Sequence, residues 1–558
     1  MLDIYPHRAF YRPGEVVQLD VSLTGQVLPA VQIVISIVYL SDEMARLSEP
    51  IDQVSGDAAT IEMTWMPPPV APRGYGVDAW AVDGGGRVIA ATSTAFDVLE
   101  HWTQAPRYGF LMDFGPERVS FDSTMRWLTS YHVNGLQFYD WMYRHDQLLP
   151  PTDIFQDPLG RRLSLTTVRQ LIDAAHARGI AAMPYTAIYA ASTRFFRQHP
   201  DWALRDAKGD PILFGDDFLA IMNPAPGSPW TLHLQDQFVQ ILEKTGFDGI
   251  HLDQYGDPKL ACDSAGNQVD LGQIVPRFID LIKRTATRIR ADATVVFNCV
   301  GNWPIERAVE SQQDFVYIEV WPPDTQYENL HRLIIEAQTL SDGKPVVLAA
   351  YIDPAQTVNA RLTDAVIFAS GGYHVELGET EGMLSDPYFP KYGRMSDELA
   401  TALRRYYDFL VRYENVLSLD TRDTTARRSG QVTIEGIDTD ANHLCHKVWV
   451  ITREGPGCEA INLINLLDVS EPAWNGPHDQ HVTPVTNLQV RCYPHRPVQR
   501  IWWASPDDKN PQMYALDFGV GTDERGTYVT FAVPVLMYWD LIIVEHAVHR
   551  QRVSDNPV

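Results

Sequence analysis

The chain has 558 residues, 45% of them hydrophobic and 21% charged, with 71 acidic against 45 basic side chains and a formal net charge of −26. That length exceeds one compact core and predicts about two to four domains. The charge repels phosphate backbones and argues against nucleic acid as a partner, and no run approaches the roughly 20 apolar residues of a membrane helix.

Residues 1–104 read as short strands with turn punctuation. Val17–Leu23 and Val31–Tyr39 alternate at period two, and Pro67-Pro68-Pro69 and Gly84-Gly85-Gly86 mark breaks. This spacing predicts an immunoglobulin-like β-sandwich. From 105 to 418 short apolar strands alternate with helical stretches. The strand candidates are 108–114, 133–141, 179–189, 246–253, 294–301, 315–321, 344–353 and 372–379. Leu165–Arg178 shows helical spacing with Gly179 just past its end, and Leu330–Leu340 is a second such stretch. Eight strands alternating with helices predict a (β/α)8 TIM barrel. An open sheet needs polar residues only at its switch point. Here nearly every strand ends in one: Asp113, Asp140, Tyr189, Asp253, Asn298, Glu319, Asp353 and Glu376. Residues 419–558 return to β character at 447–452, 485–493 and 528–538, which predicts a C-terminal β-sandwich.

Carboxylates at C-terminal strand ends are where a barrel places its chemistry. Asp253 ends Gly246-Phe-Asp-Gly-Ile-His-Leu-Asp253 and Glu319 sits in Phe315-Val-Tyr-Ile-Glu-Val-Trp321. Glycoside hydrolysis needs an acid on one face of the sugar and a nucleophile or base on the other. Strands four and six lie far enough round a barrel mouth to face each other across a ring. The segment Gln137-Phe-Tyr-Asp-Trp-Met-Tyr-Arg-His-Asp146 is dense in aromatic and ionisable groups that suit sugar faces and hydroxyls. Its Tyr139, Asp140, Trp141, Arg144 and His145 are substrate-binding candidates. Asp113, Tyr189, Gln254, Trp321 and Tyr351 join them from the other strand ends.

His251 and His374 stand two residues before Asp253 and Glu376 and share a strand face with them. Metal-dependent barrel hydrolases use such pairs, but the ligand count of a metal site is not evident. Both histidines, with Glu376, are assigned to sugar hydroxyls or to tuning an acid; no metal or other cofactor is expected. Five scattered cysteines without C-x-x-C spacing predict reduced thiols, although Cys445 could pair with Cys458 or Cys492 in an oxidising compartment. Gly-x-Ser-x-Gly and P-loop motifs are missing. The start, Met1-Leu-Asp-Ile-Tyr-Pro-His-Arg8, lacks secretory signal character, which predicts a cytoplasmic protein, or a secreted one if a signal has been removed.

With Gln137–Asp146, Gly246–Gly256, Tyr317-Ile-Glu-Val-Trp321 and Gly372-Tyr-His-Val-Glu-Leu-Gly-Glu379 in this order, nearly the whole chain resembles glycoside hydrolase family 66. That family comprises endo-dextranases and cycloisomaltooligosaccharide glucanotransferases. The resemblance implies retaining cleavage of internal α-1,6 linkages of dextran to isomaltooligosaccharides, with Asp253 as nucleophile and Glu319 as general acid/base. Cyclising members carry an inserted carbohydrate-binding module of about a hundred residues late in the barrel. Only about fifty residues separate Glu319 from Gly371, enough for a strand and its helices, which favours a dextranase. The alternatives are a cyclising or other α-1,6-transglucosylase and, from another class, a non-catalytic glucan-binding protein.

Overall fold

The structure, a computed structural model, describes residues 1–25, 31–51, 58–215, 218–439, 444–476, 478 and 481–547. The chain opens with two antiparallel sheets. Leu2–Pro6, Val17–Thr24 and Ala58–Trp65 form one; Asp42–Ile51, Val31–Tyr39, Arg73–Val82 and Val88–Val98, in that spatial order, form the other. Val17–Thr24 buries alternate residues, as its sequence alternation demands. Leu19 and Val21 of the first sheet share a core with Ile33, Ile35, Val77 and Phe96 of the second.

Eight parallel segments follow: β1 Tyr108–Leu111, β2 Gly135–Phe138, β3 Ala181–Ala187, β4 Gly249–Asp253, β5 Thr294–Val300, β6 Val316–Glu319, β7 Val346–Ala349 and β8 Tyr373–His374. Each pairs in parallel with the next. After His374 the chain changes partner, and Gly378 pairs in parallel with Phe110 of β1. The pairing therefore runs through all eight segments and returns to the first. Parallel neighbours need crossover connections. Helices α1 Asp122–Ser130, α2 Leu165–Ala177, α3 Pro229–Thr245, α4 Leu271–Ile289, α5 Ile305–Ala308, α6 Tyr327–Leu340 and α7 Thr357–Ala369 lie in those connections, and α8 Asp397–Arg412 follows β8. The strands are buried on both faces, so they read as apolar runs rather than alternating ones. Gly249 opens β4 because a Cβ there would meet the Thr294 carbonyl oxygen of β5 at 1.9 Å.

The C-terminal residues form a six-stranded and a four-stranded antiparallel sheet with a common core of Val448, Ile461, Val490, Trp503 and Phe531. Buried ion pairs join the parts. Arg107, just before β1, meets Asp97 at 2.8 Å and Glu414 at 2.5 Å, all without solvent exposure. Arg412 of α8 grips Asp78 with two bonds of 2.9 Å. Breaking such a pair strands a buried charge, so these contacts fix how the first sheets seat on the parallel strands. All five cysteines are free thiols.

Candidate active site

Asp253 is the last residue of β4 and Glu319 the last of β6. Asn298 of β5, the strand between them, donates through one side-chain nitrogen to Asp253 Oδ1 and to Glu319 Oε2, each at 2.8 Å. A shared nitrogen holds those two oxygens no farther apart than twice that distance. The Tyr351 hydroxyl donates to Glu319 Oε1 at 2.6 Å, and the Tyr185 hydroxyl reaches Asp253.

Both carboxyls are displaced upward. Asp253 is raised to about 7, by burial first and then by the Glu319 carboxylate, against the pull of Tyr185, Asn298 and the Gln254 amide. Burial also raises Glu319, against its bonds to Tyr351, Asn298 and Trp321. Two carboxyls this close resist double ionisation, so the pair retains one proton well above the ordinary carboxylate range. The surroundings are aromatic. Tyr139 packs 5.1 Å from Tyr185 and stacks on Phe389 at 4.2 Å. Trp321, 39% exposed, sets its edge toward Tyr351. Phe214, 44% exposed, stacks on Tyr255 at 4.4 Å.

The residues singled out from sequence fall into three groups. Tyr139, Trp321 and Tyr351 gather near the pair, and Asp140 lies beside Tyr139 and Tyr185 with its carboxylate toward Arg161. Asp140 adopts a left-handed φ of 51°, which Asp tolerates better than most residues. Burial, with a smaller push from Asp157, raises its carboxyl to about 7 against the Arg161 guanidinium. His251, Gln254 and Tyr189 lie beside Asp253 but are engaged within the protein. The His251 ring is buried between Tyr108 and Tyr185 and meets the Tyr108 hydroxyl at 3.2 Å. Burial lowers it to about 3, so it is neutral. Gln254 spans the Asn298 and Trp303 carbonyls and the Gly256 amide. The Tyr189 hydroxyl accepts the Tyr255 amide and donates to the Asp257 carbonyl, holding the loop after Asp253.

The third group lies elsewhere. Trp141 is fully buried against Phe247, where an aromatic side chain fills core rather than faces sugar. The Arg144 guanidinium covers the Tyr143 ring at 4.2 Å and donates to the Gln156 carbonyl. His145 is buried, and burial lowers it to about 4. Asp113 is exposed and uses its carboxylate to cap the Gly115 amide. His374 binds Asp364 of α7 at 2.9 Å and Glu376 accepts from Tyr407 of α8 at 3.0 Å, so both side chains face helices. Asn298, Tyr185, Tyr255 and Phe214 were not anticipated as site residues. Asn298 carried a signal, as the polar end of the strand between the two acids. The others stand in apolar or mixed runs where nothing in sequence separates a site tyrosine from a core one.

A carboxyl pair joined by one amide donor at adjoining ends of parallel strands, with exposed aromatic rings beside it, is an arrangement for general acid/base and nucleophilic work on a sugar. The profile of glycosyl hydrolase family 66 matches residues 6–543, and the chain belongs to that family. A cycloisomaltooligosaccharide glucanotransferase of Niallia circulans is 23% identical over 707 aligned positions, covering 98% of this chain and 72% of the relative. A dextranase of Streptococcus salivarius is 22% identical, covering 85% of this chain and 67% of that one. The fold is that of a Paenibacillus sp. cycloisomaltooligosaccharide glucanotransferase solved with cycloisomaltoheptaose. Its TM-score is 0.88 at 23% identity, with 97% of this chain and 99% of that one covered.

Proposed function

We propose that this chain is an endo-acting, retaining α-1,6-glucan hydrolase that cleaves dextran to isomaltooligosaccharides. In this reading the ring of parallel strands is a (β/α)8 TIM barrel over residues 105–418. It is flanked by an immunoglobulin-like sandwich at 1–104 and a second β-sandwich at 419–558. The observation that carries the reading is the Asn298 bridge. Two 2.8 Å bonds from one nitrogen hold the facing oxygens of Asp253 and Glu319 no farther apart than twice that distance, which favours the closer carboxyls of a retaining pair, about 5–5.5 Å, over the roughly 6.5–9.5 Å of an inverting pair.

Asp253 attacks the anomeric carbon while the proton shared by the pair, carried on Glu319, passes to the leaving glycosidic oxygen. The glycosyl-Asp253 ester then removes the charge that had repelled the second carboxylate. Glu319 takes a proton from incoming water, which displaces Asp253 and restores the pair. Tyr351 and Asn298 orient Glu319; Tyr185 and Asn298 orient Asp253. Trp321 and Tyr139 offer ring faces to glucose.

A cyclising transferase is the second reading, favoured by the names of the Niallia and Paenibacillus relatives. Against it, β6 connects through α6, β7 and α7 to β8 with no room for an inserted module. The Niallia alignment, longer than this chain, implies that the relative carries insertions. Chromatography of products from dextran decides between them: linear isomaltooligosaccharides support hydrolysis, and cyclic or elongated products overturn it. Asp253→Ala with azide should yield a glycosyl azide of inverted configuration. Near-parent release of reducing ends by Asp253→Ala or Glu319→Ala would overturn the assignment of the pair, and no release by the parent chain would leave a glucan-binding protein.

A further inference from the structure

The C-terminal sheets carry another cluster of ligating side chains. Glu459, His495 and His546 each offer one oxygen or nitrogen, and these atoms all lie within 4.8 Å of one another. The fold places them together. Glu459, on the strand Cys458–Leu466, pairs with Val544 of the strand Trp539–His546. His546 stands two residues beyond Val544 and so shares its face. His495 comes from the turn between Val485–Cys492 and Val498–Ala504, and its ring lies 4.9 Å from that of His546.

His546 is only 5% exposed, yet among the described residues neither of its ring nitrogens has a hydrogen-bond partner. Buried polar atoms are nearly always satisfied, and leaving one orphaned is costly. A neutral imidazole so placed has a lone pair to give. The other two groups are braced from behind. Arg428 donates to both oxygens of Glu459, at 2.6 and 3.1 Å, and each oxygen keeps a second lone pair. His495 Nε2 lies 2.9 Å from Glu454 Oε1; with its proton there, the free lone pair is on Nδ1. A carboxylate behind a ligating imidazole and a donor behind a ligating carboxylate are the outer contacts of metal sites. His495 is exposed and lines an open cavity with Arg428, Tyr493, Arg496 and Arg525, which opens the cluster to solvent on that side.

We propose that Glu459, His495 and His546 form a binding site for one zinc-class ion (zinc, nickel or copper). The neighbouring arginines select within the cations. Arg427, Arg428 and Arg496 offset the charge of Glu454 and Glu459, which disfavours calcium and magnesium, held by oxygen and charge. Two imidazole lone pairs keep their value for a borderline metal.

The test is calorimetric titration of the full chain, stripped with chelator, with Zn2+ at pH 7.5, with Ca2+ as control. One Zn2+ per chain should bind, X-ray absorption should show two imidazole ligands, and Ca2+ should give no saturable heat. Exposed His495 can change to Ala without loss of the fold, and His495→Ala should weaken Zn2+ at least tenfold. His546→Gln, checked by circular dichroism for a folded chain, should do the same. Absence of one-to-one Zn2+ binding, or affinity within twofold of the parent in His495→Ala, overturns the site.

Discussion

Asp253 with Glu319, at the ends of β4 and β6, and Asp364 with His374 and Glu376, between α7 and the end of β8, are two groups of ionisable side chains. Asp253 and the second group are buried and Glu319 is half-buried, and in both groups burial is the leading cause of raised carboxyl pKa values. They differ in what they face. The first pair adjoins exposed Trp321 and half-buried Tyr351, at strand ends where a ligand can enter. In the second, all three side chains have zero exposure and are closed in by α7 and α8. A raised carboxyl is thus no mark of catalysis by itself; access decides what the proton can do.

The largest expected effect separates the two groups outright. Glu319→Gln should lower dextran hydrolysis by about 10²–10⁴-fold, the usual worth of a general acid, and Asp253→Asn by at least as much. Glu376→Gln should leave kcat within about threefold, because the side chain is closed in by α7 and α8 and reaches no substrate. The comparison fails if Glu376→Gln matches Glu319→Gln. The sealed group instead acts on stability. A carboxyl raised in the fold stabilises it fully below the unfolded pKa, and that contribution is lost as pH rises through the folded value. For Asp364 the window runs from 3.8 to about 7. Asp364→Asn should flatten the melting temperature over that range, measured by calorimetry.

A second effect concerns pH and rate. The proposed mechanism needs one proton on the Asp253–Glu319 pair. The rate should fall on the alkaline side, above the ordinary carboxylate range, as the last proton leaves, and on the acid side as the second carboxyl is protonated. Asn298→Ala sharpens this. Hydrogen bonds to charged groups are worth about 1.5–3 kcal/mol, so kcat should fall about tenfold to a hundredfold. Losing a donor that lowers both pKa values, the alkaline limb should move to higher pH. An unshifted limb in the kcat/KM profile would separate Asn298 from the titration.

The contrast also explains what could be read from sequence. Asp253 and Glu319 were legible because an acid ending a short apolar run has few reasons to be there. His374 and Glu376 gave the same signal, and period two put them rightly on one face. Which face was not legible. Between His374 and Leu377 the last segment leaves β7 for β1, and only the paired structure shows the side chains turned to α7 and α8. Trp141 misled for a related reason: its aromatic neighbourhood resembles a sugar platform, yet Phe247, a hundred residues on, buries it. The parallel strands themselves were legible, since burial on both faces leaves apolar runs of the right length and a helix such as α2 is followed by Gly179, which takes a left-handed φ of 69°.

The smallest effect tests the openness on which the contrast rests. Phe214 comes from a short strand in the connection between β3 and α3, and it lies flat on Tyr255, two residues past Asp253. Nothing apolar requires it to be 44% exposed, and its outer face is free to meet the C–H face of a glucose unit. Stacking of this kind is worth about 0.5–1.5 kcal/mol, so Phe214→Ala should raise KM for dextran by roughly twofold to tenfold. Because the ring touches no reacting atom, kcat should hold. A loss confined to kcat would mean that Phe214 acts through the Tyr255 loop on Asp253, and that the entrance lies elsewhere.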